Sequence, residues 1–201
     1  MKIWDMKPAA DLLAREWNLG KKECGASGSI CAWIYLMDIL KTTEHMEVFK
    51  LNGRLVGFCG YSNADSHKHR LMKKLYAHAE KALFHSRKIK DKNALHEYYD
   101  NYDYLPKEMY ADFDGEITIL IVSSEFRGKG IGKYLLSKAF ERAAQEGMKN
   151  LMILSDESCS YGFSESMGCT KVYETIVENQ EYGKLGATCS EKAFVYEKRL
   201  C

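Results

Sequence analysis

The chain has 201 residues, 46% hydrophobic and 28% charged, the balance of a globular domain with one well-buried core. A formal net charge of +1 gives no global case for nucleic acid or an acidic membrane, and the longest apolar run, Ile30 to Met37, is far short of the roughly 20 residues of a membrane span. Acidic and basic residues (Asp5, Asp11, Arg15, Glu16) interrupt any signal-peptide pattern, so a cytoplasmic protein is expected, and seven scattered cysteines without a CxxC pair indicate neither a zinc site nor a disulfide framework.

Residues Met1 to Lys7 read as a short first strand. Pro8 followed by Ala9, Ala10 and Asp11 opens a helix, because proline is tolerated at the first helical position. Gly20, Gly25 and Gly28 separate it from a second apolar helix, Ile30 to about Leu40. Two strand-like runs, Met46 to Leu51 and Arg54 to Tyr61, flank Asn52-Gly53, the strongest two-residue hairpin signal.

About fifty residues then intervene before the next strand. Leu71, Leu75, Ala79, Ala82 and Leu83 are spaced as one face of a helix from about Ser66 to Arg87, and Ala94 to Asn101 reads as another. Charge divides sharply here. Residues 65–92 carry nine cations against three carboxylates, and residues 97–116 carry seven carboxylates against Lys107. The halves can neutralise one another. Alternatively, Tyr98, Tyr99, Tyr102, Tyr104 and Tyr110, interleaved with those carboxylates, form a surface suited to a cationic amine.

The run Ile117 to Val122 is continuously apolar and β-branched, the pattern of a strand covered on both faces. A glycine turn follows, and Tyr134, Leu135, Leu136, Ala139, Phe140 and Ala143 then recur at helical spacing. A strand ending where a helix begins presents unpaired N–H groups to an anion. The phosphate-loop pattern GxxxxGK[ST] fails at Arg127 and at Tyr134, and the dinucleotide fingerprint GxGxxG, begun at Gly128 and Gly130, meets Lys133 at its third glycine. The pattern [RQ]xxGx[GA] fits as Arg127, Gly130 and Gly132.

Here the chain resembles the GNAT superfamily of acyl-CoA N-acyltransferases. The resemblance implies an α/β fold: a central mixed, mostly antiparallel twisted sheet of about seven strands flanked by helices. Residues 1–201 would form one such domain, with a helical insertion at about 63–113 between the third and fourth strands. It also implies that the main chain of Leu120, Ile121 and Val122 pairs with the pantetheine arm of acetyl-CoA. Its pyrophosphate would be gripped by Arg127, Gly128, Lys129, Gly130, Ile131, Gly132 and Lys133, and the first two helices would wall the acceptor side.

After the turn, the helix to about Glu146 ends at Gly147, and Leu151, Ile153 and Leu154 mark a further strand. Residues 156–169, DESCSYGFSESMGC, resemble the superfamily's second signature through Phe163, Met167 and Gly168. Ser164 stands where the family most often has the tyrosine that protonates the departing thiolate, and Cys169 replaces the usual phenylalanine. Tyr161, three residues before Ser164, and Ser164 itself are the candidates for that acid. Strands at Lys171 to Val177 and Ala193 to Leu200 complete the sheet.

Amide formation from a thioester needs a neutral amine, whereas an alkylammonium near pKa 10.4 is protonated at pH 7. Glu116, eleven residues before Arg127, is the candidate general base. Neighbouring Asp112 and Asp114 are expected to raise its pKa by like-charge repulsion and to attract the amine. The expected function is acetyl transfer from acetyl-CoA to a primary amine of a small molecule or peptide, with no metal, nucleic acid or membrane; a homodimer is compatible with the sequence. Two alternatives stay open: a non-catalytic acyl-CoA-binding regulator, which Ser164 favours, and a dinucleotide-binding domain using Asp156.

Overall fold

The computed structural model describes residues 1–19, 28–64, 69–87, 89, 107–157, 162–179 and 189–200. A 3-10 turn at Ile3–Asp5 runs into helix α1 (Met6–Glu16), followed by α2 (Gly28–Thr42), the hairpin β1 (His45–Leu51) and β2 (Arg54–Tyr61), helix α3 (Arg70–Phe84) and the single turn α4 (Lys107–Tyr110). Then come β3 (Glu116–Val122), α5 (Ile131–Gln145), β4 (Asn150–Asp156), the short α6 (Phe163–Ser166), β5 (Thr170–Asn179) and β6 (Cys189–Arg199). The sheet runs β1-β2-β3-β4-β6-β5, and among the described residues β3–β4 is its only parallel pair.

This is the α/β sheet expected, with six strands among the described residues where about seven were expected, so the insertion falls between β2 and β3. The missing strand is the amino-terminal one. Lys2 N–H bonds the Asp5 carboxylate at 3.1 Å, and that buried carboxylate also pairs with Lys50 of β1 at 2.5 Å. These bonds curl residues 2–5 into a helical turn instead of an extended edge. Helix α1 consequently starts two residues before Pro8, which lies within the first turn, where its missing N–H costs nothing. The hairpin forms as read from Asn52-Gly53: both turn residues have positive φ, 49° and 78°.

Two cores sandwich the sheet. Leu12 and Leu13 of α1 and Ile34 and Leu36 of α2 pack with Phe58, Ile119 and Ile121 on one face. On the other, Leu135, Leu136, Ala139 and Phe140 of α5 pack with Val56, Leu151, Ile153 and Tyr196. Helix α3 lies against α2 by only part of the face its spacing predicts: Ala79 and Leu83 pack toward the core, and Leu71, Leu75 and Ala82 do not. Lys73 pairs with Glu44 at 2.6 Å and Glu80 with Lys41 at 2.8 Å, and these bonds turn Tyr76, Ala79 and Leu83 toward the core. Leu71 and Leu75 point outward, 80% and 57% exposed. Among the described residues no helix is long and apolar enough to cross a membrane.

Candidate active site

The sheet opens in its middle. Strands β3 and β4 pair only at Glu116 with Met152 and Ile117 with Ile153, and then diverge. Past that point β4 continues paired with β6 on its other edge and β3 with β2 on its own. A wedge is left between them, closed at Ile117 and open toward Val122 and Asp156, and along it β3 offers unpaired backbone groups to an extended ligand.

An irregularity in β3 sits at the closed end of the wedge. Gly60 of β2 pairs with Ile119 but Tyr61 pairs with Ile117, so Thr118 is an extra residue, a bulge. Its hydroxyl bonds that of Thr43 at 2.7 Å, and Thr43 in turn donates to the Ile39 carbonyl at 2.7 Å, tying the bulge to the end of α2. Gly60 makes room for it, since a Cβ there would lie 2.8 Å from Thr118 Oγ1. The bulge inverts the facing of everything before it. Ile119 and Ile121 belong to the core under α1 and α2, yet Ile117 belongs to the core under α5. Glu116 is thereby turned toward α2, where its carboxyl is held above the usual carboxylate range by burial and then by the charge of Asp38.

The sequence reading anticipated the direction of that shift and named other carboxylates for it. Asp112 and Asp114 do not supply it: the charge that acts on Glu116 is that of Asp38, and the Asp114 carboxylate is turned to the start of β4. The Asp114 carboxylate accepts from the N–H groups of Lys149 and Asn150, and the Asn150 side chain donates to the Asp112 carbonyl at 3.0 Å. Asp38, which the sequence reading missed, is joined to Lys41 at 2.6 Å, and Lys41 reaches Glu80 of α3. Its only sequence signal is a lone carboxylate on an otherwise apolar helix.

At the open end of the wedge, a 3-10 turn at Ser124–Phe126 leads to Gly128 and Gly130, with φ of 74° and 80°. Residues with side chains avoid that region. Helix α5 starts directly after Gly130 with no side chain capping it, so its first N–H groups are presented outward. Lys129 and Lys133 are exposed beside them. Arg127 is used differently: its Nε donates to the Val122 carbonyl at 3.2 Å and its Nη2 to Glu16 of α1 at 3.0 Å. Leu120 and Val122 lean on the α5 core and Ile121 on the α1–α2 core, leaving their main chain along the wedge.

Helix α6 completes the rim. A Cβ on Gly132 would lie 3.5 Å from the Phe163 ring, so the second signature packs on the glycine turn, and half-buried Ser164 follows Phe163. Tyr161, Tyr98, Tyr99, Tyr102 and Tyr104 lie outside the described residues. On the α1–α2 side, Trp17 meets Tyr35 edge to face at 5.4 Å. Among the described residues no group of three or more histidine, cysteine or carboxylate side chains is placed to hold a metal ion.

A sheet split between two parallel strands, with an uncapped glycine-opened helix at the mouth and a half-buried carboxylate at the base, defines an α/β transferase for a long, anionic co-substrate. The acetyltransferase (GNAT) family model matches residues 10–168, and the chain belongs to that family. The fold is shared with a protein of Pyrococcus horikoshii OT3 (17% identity, covering 100% of this chain and 94% of that one, TM-score 0.60). It is also shared with a ribosomal-protein-alanine N-acetyltransferase from Brucella melitensis (14% identity, 100% and 97% covered, TM-score 0.56). At these identities the likeness is one of fold. A search of curated proteins returns no match.

Proposed function

We propose that this acetyltransferase transfers the acetyl group of acetyl-CoA to a primary amine of a small molecule or peptide, by direct attack, with Glu116 as general base. The observation that carries the reading is the wedge between β3 and β4, with Glu116 at its closed end and the glycine turn at its open end. From Ile117 to Val122 the strand spans about 17 Å, long enough to lie beside an extended pantetheine arm. The pyrophosphate would then meet the N–H groups of Ile131, Gly132 and Lys133, and the thioester would reach the bulge.

The acceptor arrives as an ammonium, and Glu116 takes its extra proton directly or through one water. The raised pKa of Glu116 makes it a better proton acceptor than an ordinary carboxylate. The amine nitrogen attacks the thioester carbonyl carbon while a main-chain N–H of β3 beside the bulge stabilises the oxyanion. The C–N bond forms, the C–S bond breaks, and the nitrogen gives its second proton to solvent water, which also restores the group that protonates the thiolate. The thiolate needs little help at neutral pH, since a free thiol has a pKa of about 8.5. Ser164 or Tyr161 is the group assigned to protonate it.

Thermal unfolding with acetyl-CoA, free CoA or NAD tests the co-substrate. At 100 times its dissociation constant a ligand stabilises by about 2.7 kcal/mol, and about 2–4 °C per kcal/mol applies at this size. A shift with the CoA compounds alone supports the reading, and a shift with NAD alone overturns it. An amine screen that follows thiol release then tests transfer. Non-catalytic acyl-CoA binding remains the second reading because Ser164 replaces the usual acid, and it is the one left standing if CoA binds and no amine is acetylated.

A further inference from the structure

The end of α1 is bonded to the segment that precedes the glycine turn by more than packing. The Glu16 side chain is only 3% exposed, although it belongs to a helix end at the surface. Its Oε2 accepts from the Ser124 backbone N–H at 3.0 Å and from Arg127 Nη2 at 3.0 Å, and its Oε1 accepts from Arg15 Nε at 3.2 Å and the Ser124 hydroxyl at 3.4 Å. Arg15 Nη2 donates to Ser123 Oγ at 3.3 Å. One carboxylate therefore gathers four donors, three of them from the segment that joins β3 to α5.

Charge-assisted bonds to a backbone N–H and a guanidinium are the strong kind, and the Glu16 carboxylate that accepts them is itself buried. Arg127 transmits the hold, because its Nε bonds the Val122 carbonyl while its Nη2 bonds Glu16. The chain between the end of β3 and Gly128 is thus fixed at both ends, and with it the direction in which the first N–H groups of α5 point.

We infer that Glu16 is a positioning residue for the coenzyme turn: through Ser124 and Arg127 it holds the turn in the shape that receives a pyrophosphate, without itself touching the ligand. Arg127, in the same inference, acts through its bonds to the Val122 carbonyl and to Glu16, as the arm of Glu16, and is not a phosphate ligand. The inference rests on the co-substrate proposed above. It makes a claim peculiar to itself: losing Glu16 penalises ligands that carry the pyrophosphate and spares those that carry only the pantetheine arm.

The test compares wild type, E16A, R127A and the double variant by calorimetric binding of CoA, and by kcat and KM with acetyl-CoA and with S-acetylpantetheine, which has no pyrophosphate. E16A is expected to weaken CoA binding about tenfold, the size of one or two charge-assisted bonds. The loss should appear in KM, so that the ratio of kcat/KM for acetyl-CoA over S-acetylpantetheine falls about tenfold. R127A should do the same, and the double variant no more than either alone, since both break one linkage. Should E16A fail to fold, E16Q keeps the shape and an acceptor for Ser124 while losing the charge facing Arg127, and a smaller fall in the same ratio is expected. Additive losses in the double variant, or equal losses for both acyl donors, would overturn the inference. Wild type that binds no CoA would overturn this inference and the proposed function together, whereas wild type that binds CoA beside an unaffected E16A and E16Q would overturn this one alone.

Discussion

Glu116 of β3 is turned to the α2 side of the sheet, within reach of the charge of Asp38, by one extra residue, Thr118, in the strand. A regular strand would point Glu116 to the α5 side, with Leu120 and Val122. The bulge reverses it, and burial together with the Asp38 charge then makes its proton harder to lose.

The sign of that shift predicts opposite effects on rate and stability. A carboxyl with a folded pKa above its unfolded value stabilises the fold fully below the unfolded value, and that contribution is lost as pH rises through the folded one. At neutral pH the ionised Glu116 is therefore a cost, and Glu116→Gln should leave the midpoint of thermal unfolding unchanged or raised. Turnover should fall about 10²-fold or more, the scale of a lost general base. With wild type, kcat should climb with pH through a pKa above the ordinary carboxylate range of about 4.3. A variant with normal turnover would remove Glu116 from the mechanism.

Gly60→Ala tests the bulge. The added Cβ would meet Thr118 Oγ1 at 2.8 Å and the ends of Met46 and Thr43 at 2.9 and 3.0 Å. Met46 can move, but Thr118 is held by its bond to Thr43. A cost of about 1–3 kcal/mol in denaturant unfolding is expected, with a loss of turnover that restoring stability by low temperature does not recover. Turnover that recovers fully would mean the bulge does not set the site.

Gly130→Ala addresses the mouth of the wedge. There is open space for a Cβ at Gly130, so the penalty comes from φ of 80° alone. About 1–2 kcal/mol is expected from forcing an alanine into the left-handed region, and relief of that strain would rotate the first N–H groups of α5. KM for acetyl-CoA should rise more than kcat falls. Equal affinity for CoA in the variant would show that those groups do not bind it.

Asp5→Asn probes the amino-terminal turn. Burial opposes ionisation of Asp5, but the bonds from Lys50 and Lys2 outweigh it and hold its pKa below the usual carboxylate value. The stability it contributes is present above the unfolded pKa of about 3.9 and lost as pH falls through the lowered folded one. Replacement should cost about 1–3 kcal/mol at pH 7, and the difference from wild type should narrow below pH 4. A constant difference down to pH 2 would mean the carboxylate charge is irrelevant.

Much of this molecule is written in short-range patterns. Asn52-Gly53 sets its hairpin because the two residues tolerate positive φ. The apolar run before Arg127 and the spacing from Tyr134 to Ala143 announce strand, turn and helix, since side-chain period and glycine are properties of a few adjacent residues. The amino-terminal misreading has a different origin: Met1 to Lys7 is extended by pattern, but Asp5 bonds Lys50 of β1, and a partner 45 residues away outweighs local preference.

The family and the glycine turn could therefore be read from the amino-acid sequence alone, because their determinants are contiguous. The side of the sheet that Glu116 faces, the Asp38 charge that acts on it, the facing of α3 and the hold of Glu16 on Arg127 were decided only in the tertiary structure. Each depends on register or on charges far apart in the chain: one bulged residue inverts every side chain before it, and an ion pair 111 residues apart leaves no local pattern.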